Sequence, residues 1–143
     1  MADVDAGGRG AATRRAVLAA AIERFGRDGY RATAVTAIAR DAGVGGTVPY
    51  QYFATKEALF LEAADEDTAG VIGEIFDTAG LEPHHPDWPG ATLAAAVDAL
   101  ERHPLARRIL AGLEPDAAER VLNAAALADA RKVLATTLSA GQA

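Results

Sequence analysis

Between Asp41 and Lys56 the chain carries no charge, and inside that gap lies Gly46-Thr-Val-Pro-Tyr-Gln-Tyr-Phe53, with hydroxyls, an amide and three aromatic rings. A short surface helix of ordinary type would carry Lys and Glu. Hydroxyls and amides instead contact base edges or phosphate oxygens without the repulsion a carboxylate meets, and Thr or Val methyls can touch thymine methyls. Phe53 reads as core, whereas Tyr50 and Tyr52 read as pointing outward. Lys56 stands at the amino end of the next helix, where a cation beside free amides makes a ready anion site.

Other chemistry is poorly served. There is no cysteine, which removes disulfides, thiolate metal sites and thiol nucleophiles together. The one serine, Ser139, lies far along the chain from any clear base. No glycine loop suited to phosphate cradling and no His-Glu-x-x-His pattern occurs. His84 and His85, with Asp87 nearby, read as a solvated loop rather than a metal site, since adjacent residues cannot face one side of a helix. Glu101 and Asp98 read as a solvated pair on one helix face, and His103 before Pro104 as a helix end. The sequence predicts no enzyme, no cofactor and no metal.

The net charge of −6 is unevenly divided. Residues 9–60 carry eight bases against four acids, and residues 61–143 carry six bases against fourteen acids. A basic head on an acidic body is the asymmetry expected when one end meets phosphate. No apolar run approaches the roughly 18 residues that cross a bilayer. The Gly-rich, acidic start has no apolar stretch and is not a secretory signal. A cytoplasmic protein is the expectation.

These residues need short helices to position them. Residues 1–11 read as a disordered arm, and a first helix is expected from about Ala12, with Val17, Leu18, Ala21, Ile22 and Phe25 on one stripe. Gly26 and Gly29 bracket its end. Thr33 is placed to cap a second helix whose inner face is Val35, Ile38, Ala39 and Ala42. Gly43 ends that helix, and the apolar Val44 reads as a plug inside the turn. A third short helix is expected from about Gly46 to Phe53, with Pro49 in its first turn, where the missing amide matters least. Thr55 then caps a fourth helix reaching about Thr78. Its middle is weakened by Gly70 and Gly73, each by up to about 1 kcal/mol relative to Ala. After a loop at 80–90 rich in proline and glycine, helices are expected at 91–102, 104–112 and 115–139. The predicted class is all-α, with a three-helix, homeodomain-like helix-turn-helix at 12–55 and a helical domain at 56–143.

The run Val17-Leu18-Ala-Ala20-Ala-Ile22…Phe25…Gly29-Tyr30…Thr33-Ala-Val35…Ile38-Ala39…Ala42-Gly43-Val44…Tyr50-Gln-Tyr52-Phe53-Ala-Thr55-Lys56-Glu57-Ala-Leu59 closely resembles the TetR family of bacterial repressors. The resemblance implies that Thr33 and the start of the second helix, with Thr36, contact backbone phosphate. It implies that Thr47 and Tyr50 to Tyr52 meet base edges and phosphates, and that Lys56 clamps a phosphate. The chain departs from the pattern at Gly45, where Ser or Thr is usual, at Thr47, where Gly is usual, and at Pro49. Base readout should therefore rest on Thr47, Val48 and Gln51.

In that family the remainder is a helical domain for ligand binding and dimerisation, so the expected partners are operator DNA, a small apolar or amphipathic effector and a second copy. A pocket would draw on Phe76, Trp88, Leu93, Leu100, Ile109 and Leu113, any one of which could equally be core. Family chains continue for two further long helices that form the dimer, and this sequence reads as a shortened member. The principal expectation is a DNA-binding repressor released by a small molecule. The alternative is a shortened interaction protein that pairs with a full-length regulator and binds DNA weakly or not at all.

Overall fold

The apolar stripe of the first helix forms the centre of the molecule. Val17, Leu18, Ala21 and Phe25 are all buried, and they meet Ile38, Phe53, Leu59, Phe60, Leu105 and Ile109 in one core. Phe25 meets Phe60 edge to face at 5.0 Å and stacks near Tyr30 at 6.0 Å. Burying each such ring contributes roughly 1.5–3 kcal/mol relative to leaving it in water.

The computed structural model describes residues 2–79 and 86–114, together with positions 132, 135, 136 and 139. The predicted loop at 80–85, with His84 and His85, and nearly all of the predicted helix at 115–139 lie outside the described residues. Among those described, all regular structure is helical, in the order α1 (Ala2–Asp28), α2 (Val35–Asp41), a 3-10 turn (Val48–Gln51), α3 (Lys56–Ala79), α4 (Trp88–Arg102) and α5 (Pro104–Leu110).

Helix α1 begins at Ala2, ten residues earlier than the start expected near Ala12, and it takes in the segment expected to be a disordered arm. Once nucleated, a helix adds residues at little cost, and Ala2, Ala6, Ala11 and Ala12 favour this over the local penalty of the interspersed glycines.

Helix α2 ends as the sequence implies. Gly43 has φ +73°, a left-handed conformation that side chains resist. The Gly43 amide donates to the Arg40 carbonyl at 3.1 Å and the Val44 amide to the Ala39 carbonyl at 3.0 Å. This is the Schellman arrangement, with Val44 half-buried against the core as its plug. The end of α5 repeats it, Gly112 donating to Ile109 and Leu113 to Arg108.

The expected third helix is a four-residue 3-10 turn instead. Pro49 has no amide to offer the Gly45 carbonyl, and the Val48 amide takes that acceptor at 3.0 Å, tightening the turn. Pro49 sits at the start, as predicted, and is buried. Thr55 caps α3 as expected, its hydroxyl accepting from the Ala58 amide at 3.0 Å.

The boundary expected at residue 55 does not separate two cores. The first turns of α3 supply Leu59, Phe60, Ala63 and Ala64 to the same core as α1, and α5 adds Leu105 and Ile109. A smaller cluster of Val71, Ala99 and Ala106, flanked by Ile75 and Leu100, joins α3 to α4 and α5.

Candidate nucleic-acid interface

The 3-10 turn alternates inward and outward positions over a few residues. Pro49 and Phe53 point into the core, at 3% exposure for Phe53, while Tyr50 is 50% exposed and Gln51 is exposed as well. Thr36 and Thr47 are exposed and Val48 is half-buried. Gly46 leaves its side-chain space open beside the Thr36 methyl, 3.7 Å from where a Cβ would stand. Thr36, Thr47, Tyr50 and Gln51 therefore form an uncharged, outward-facing ledge where α2 meets the turn.

Cations flank this ledge. Thr36 and Arg40 lie four residues apart on α2 and share its exposed face. Arg31, in the turn before α2, is exposed too, and among the described residues neither Arg31 nor Arg40 has an ion-pair partner. Arg24 is differently occupied, since it chelates Asp41 with two guanidinium nitrogens. Its pKa is raised above the usual arginine value, chiefly by that hydrogen bond. Arg14 pairs with Glu62 and covers the Phe53 ring at 4.9 Å. The charge tally gave no means of telling Arg31 and Arg40 from these neutralised neighbours. The i, i+4 spacing of Thr36 and Arg40 was the signal that could have singled out Arg40.

Lys56 lies 4.4 Å from the centre of the Tyr30 ring, a cation–π contact that places its ammonium at the start of α3. The Tyr30 amide in turn donates to a Glu114 carboxylate oxygen at 3.0 Å, which also accepts from Arg108. The basic position is thus braced from the far end of α5.

Two expected contacts are corrected. Thr33 is 3% exposed, and its hydroxyl donates to the carbonyls of Gly29 at 2.7 Å and Arg24 at 3.4 Å. It staples the α1–α2 turn and is not free to meet phosphate. The cap position of α2 belongs to Ala34, which offers no side-chain hydrogen bond. Tyr52, expected to face outward, packs half-buried against the core, its hydroxyl 3.7 Å from where a Gly10 side chain would begin. The lengthened α1 covers it.

The residues expected to line a ligand pocket are not brought together. Ile109 is buried in the main core at 2% exposure, Leu100 flanks the smaller cluster and Phe76 is half-buried on α3. Leu93 and Leu113 face outward at 68% and 59% exposure, and the Trp88 side chain lies outside the described residues. Helix α5 is the cause, because Leu105 and Ile109 are committed to the core around α1, and only Ala106 is left to face Ala99 of α4. An open depression of about 310 Å³ lies instead at the end of α1, with Gly26, Pro104, Arg107 and Leu113 among its walls.

Among the described residues no group of acidic or histidine side chains is arranged to hold a metal, and no helix is long and apolar enough to cross a membrane. Comparison with curated proteins and with solved structures found no match. Residues 17–63 match the family model of the bacterial regulatory proteins, tetR family. The matched segment runs from the core stripe of α1 through the helix-turn-helix to the first turns of α3, and over that segment the chain is similar to the N-terminal domain of this family of DNA-binding transcriptional regulators.

Proposed function

We propose that this protein is a cytoplasmic repressor that reads an operator through the ledge of Thr36, Thr47, Val48, Tyr50 and Gln51 and is released by a small molecule. Arg31, Arg40 and Lys56 supply phosphate contacts on its flanks. The observation that carries the reading is the pairing of an exposed, uncharged turn at Tyr50–Gln51 with exposed cations at Arg31 and Arg40 that have no ion-pair partner among the described residues. Cations of this kind displace counterions from DNA and provide affinity, whereas the ledge provides choice of sequence.

Release fits the way the head is braced. A small molecule that binds better to one position of α5 shifts the head by as much as its affinities for the two positions differ. A second copy would place two heads on successive major grooves and supply the avidity that a palindromic operator requires.

Gel retardation with a pool of genomic fragments at several salt concentrations tests this reading. Specific retardation with affinity falling steeply as salt rises is expected. Absence of retardation at low salt would eliminate DNA binding and leave the interaction-protein reading.

A further inference from the structure

His103 is the single residue between α4 and α5. Its ring is held from both sides: Nδ1 lies 2.8 Å from an Asp67 oxygen and Nε2 lies 3.0 Å from a Glu74 oxygen, both carboxylates being on α3. Asp67 is itself 4% exposed, and its other oxygen accepts from the Ala106 amide at 2.8 Å in the first turn of α5. Glu74 also accepts from Arg102 of α4 at 2.8 Å. Gly70 is what lets the ring in, since a Cβ there would stand 2.5 Å from His103 Cε1. Hinge, ring and clasp thus form one cluster.

A neutral imidazole has one N–H and can donate to only one of these carboxylates, leaving a lone pair facing the other. An imidazolium donates to both. Burial alone would lower the His103 pKa, but hydrogen bonds to Asp67 and Glu74 outweigh it, and the net shift is upward. Arg102 of α4 lowers the pKa of Glu74 through its hydrogen bond and charge, and Asp98 and Glu101 on the same helix act in turn on Arg102.

The hinge matters because α5 rests on the head. Leu105 and Ile109 fill the core beside Phe25, and Glu114 beyond α5 holds the Tyr30 amide beneath Lys56. We propose that His103, clasped between Asp67 and Glu74, is a proton-controlled pin: while the ring is charged α5 stays seated against the head, and loss of the proton frees the hinge and loosens the Lys56 side of the DNA-binding surface. The consequence for DNA rests on the DNA-binding reading above, whereas the effect on α5 does not. The sign follows from linkage. A group with a raised folded-state pKa stabilises fully below its ordinary midpoint, near 6.5, and that contribution is lost as pH rises through the raised value.

The test uses the full chain with His84→Ala and His85→Ala, which leaves His103 as the only imidazole. Ring-nitrogen NMR should show both nitrogens still mostly protonated at the ordinary histidine midpoint, with the proton lost only above it. Amide exchange in α5, Ala106 included, corrected for its intrinsic pH dependence, should quicken several-fold across the same interval. Affinity for a random-sequence duplex at fixed low salt should fall in parallel by about threefold or more. Glu74→Gln, at a position that is part exposed, should lower the midpoint, and His103→Gln should abolish the pH dependence of exchange and affinity. Titration of His103 at or below the ordinary midpoint, with α5 exchange unresponsive, overturns the pin whether or not DNA binds. Absence of duplex binding at every pH, with α5 still following the His103 proton, supports the pin and removes the DNA-binding reading.

Discussion

Gly26 of α1 and Pro104 of α5 meet so closely that a Cβ on the glycine would stand 2.7 Å from the proline Cβ and 2.8 Å from the Leu105 amide nitrogen. The obstacle is a ring and a backbone, neither of which can swing aside. Alanine at this position gains up to about 1 kcal/mol of helix propensity, but overpacking against rigid neighbours costs about 1–3 kcal/mol. Gly26→Ala is therefore expected to destabilise the fold, seen as a lower urea midpoint at unchanged slope. Gly73→Ala is the matched control, because nothing lies within 4 Å of its Cβ position on α3. That variant is expected to gain roughly 0.5–1 kcal/mol. Equal shifts of the same sign in both variants would show that α5 does not bear on α1 as described.

Helix α2 starts without a cap. Ala34 has φ −96° and ψ 139°, the extended geometry of a capping residue, yet its methyl can accept no hydrogen bond from the first-turn amides. Ala34→Ser puts an acceptor at an exposed site where the backbone already has the right shape. A gain of about 0.5–2 kcal/mol in unfolding free energy is expected, read from chemical denaturation. A change within error would mean that water already serves those amides equally well.

The underside of the head has an acid limit. The Asp41 carboxyl is held below the usual carboxylate range, first by the hydrogen bond from Arg24, which outweighs the opposing effect of burial, and further by the charges of Arg24, Arg27 and Arg40. Asp28 is lowered likewise, first by its hydrogen bond from Arg27. Groups lowered on folding contribute stability above the ordinary carboxylate range, and that contribution disappears as pH falls through the lowered value. Thermal midpoints should therefore drop between about pH 4.5 and pH 2, near and below the ordinary carboxylate values. The drop should be shallower in Asp41→Asn and smaller at high salt, because the pair is exposed and screened. An acid profile identical in the variant would place the sensitive carboxylates elsewhere.

The elements whose information is local were readable in the sequence. The stripe from Val17 to Phe25, the Gly43–Val44 turn and the Thr55 cap depend on residues a few positions apart, and each stands where periodicity and capping chemistry put it. What escaped depends on contacts between distant residues. Thr33 has the right type and place for a cap, but a carbonyl at Gly29 takes its hydroxyl. Gly70 reads as a weakness in α3 until the His103 ring arrives from thirty-three residues away to occupy the missing Cβ. Leu100 and Ile109 look equally available to a pocket, and only the packing of α5 onto α1 sends Ile109 into the head. The outward Tyr50 was legible because no charge competes for its surroundings, whereas Tyr52 was misjudged because the extension of α1 that covers it carries no periodic signal.

The ledge and its flanking cations should respond differently when altered, and this is the sharpest check on how the head meets DNA. Arg40→Ala and Lys56→Ala remove charge without touching base edges. Each should weaken binding to all duplexes alike and reduce the salt slope by about 1. Gln51→Ala removes an exposed amide and should relax choice at one base position by roughly 1–3 kcal/mol, leaving the salt slope unchanged. Tyr52→Phe should leave both quantities intact, since that hydroxyl lies near Gly10 and away from the ledge. Binding measured on a randomised duplex pool at two salt concentrations separates the cases. A uniform loss across sequences for Gln51→Ala would assign it to the backbone, and Thr47 and Val48 would then be left to read the bases. A loss confined to certain sequences for Lys56→Ala would mean that α3 approaches the groove itself, which its seat over the Tyr30 ring argues against.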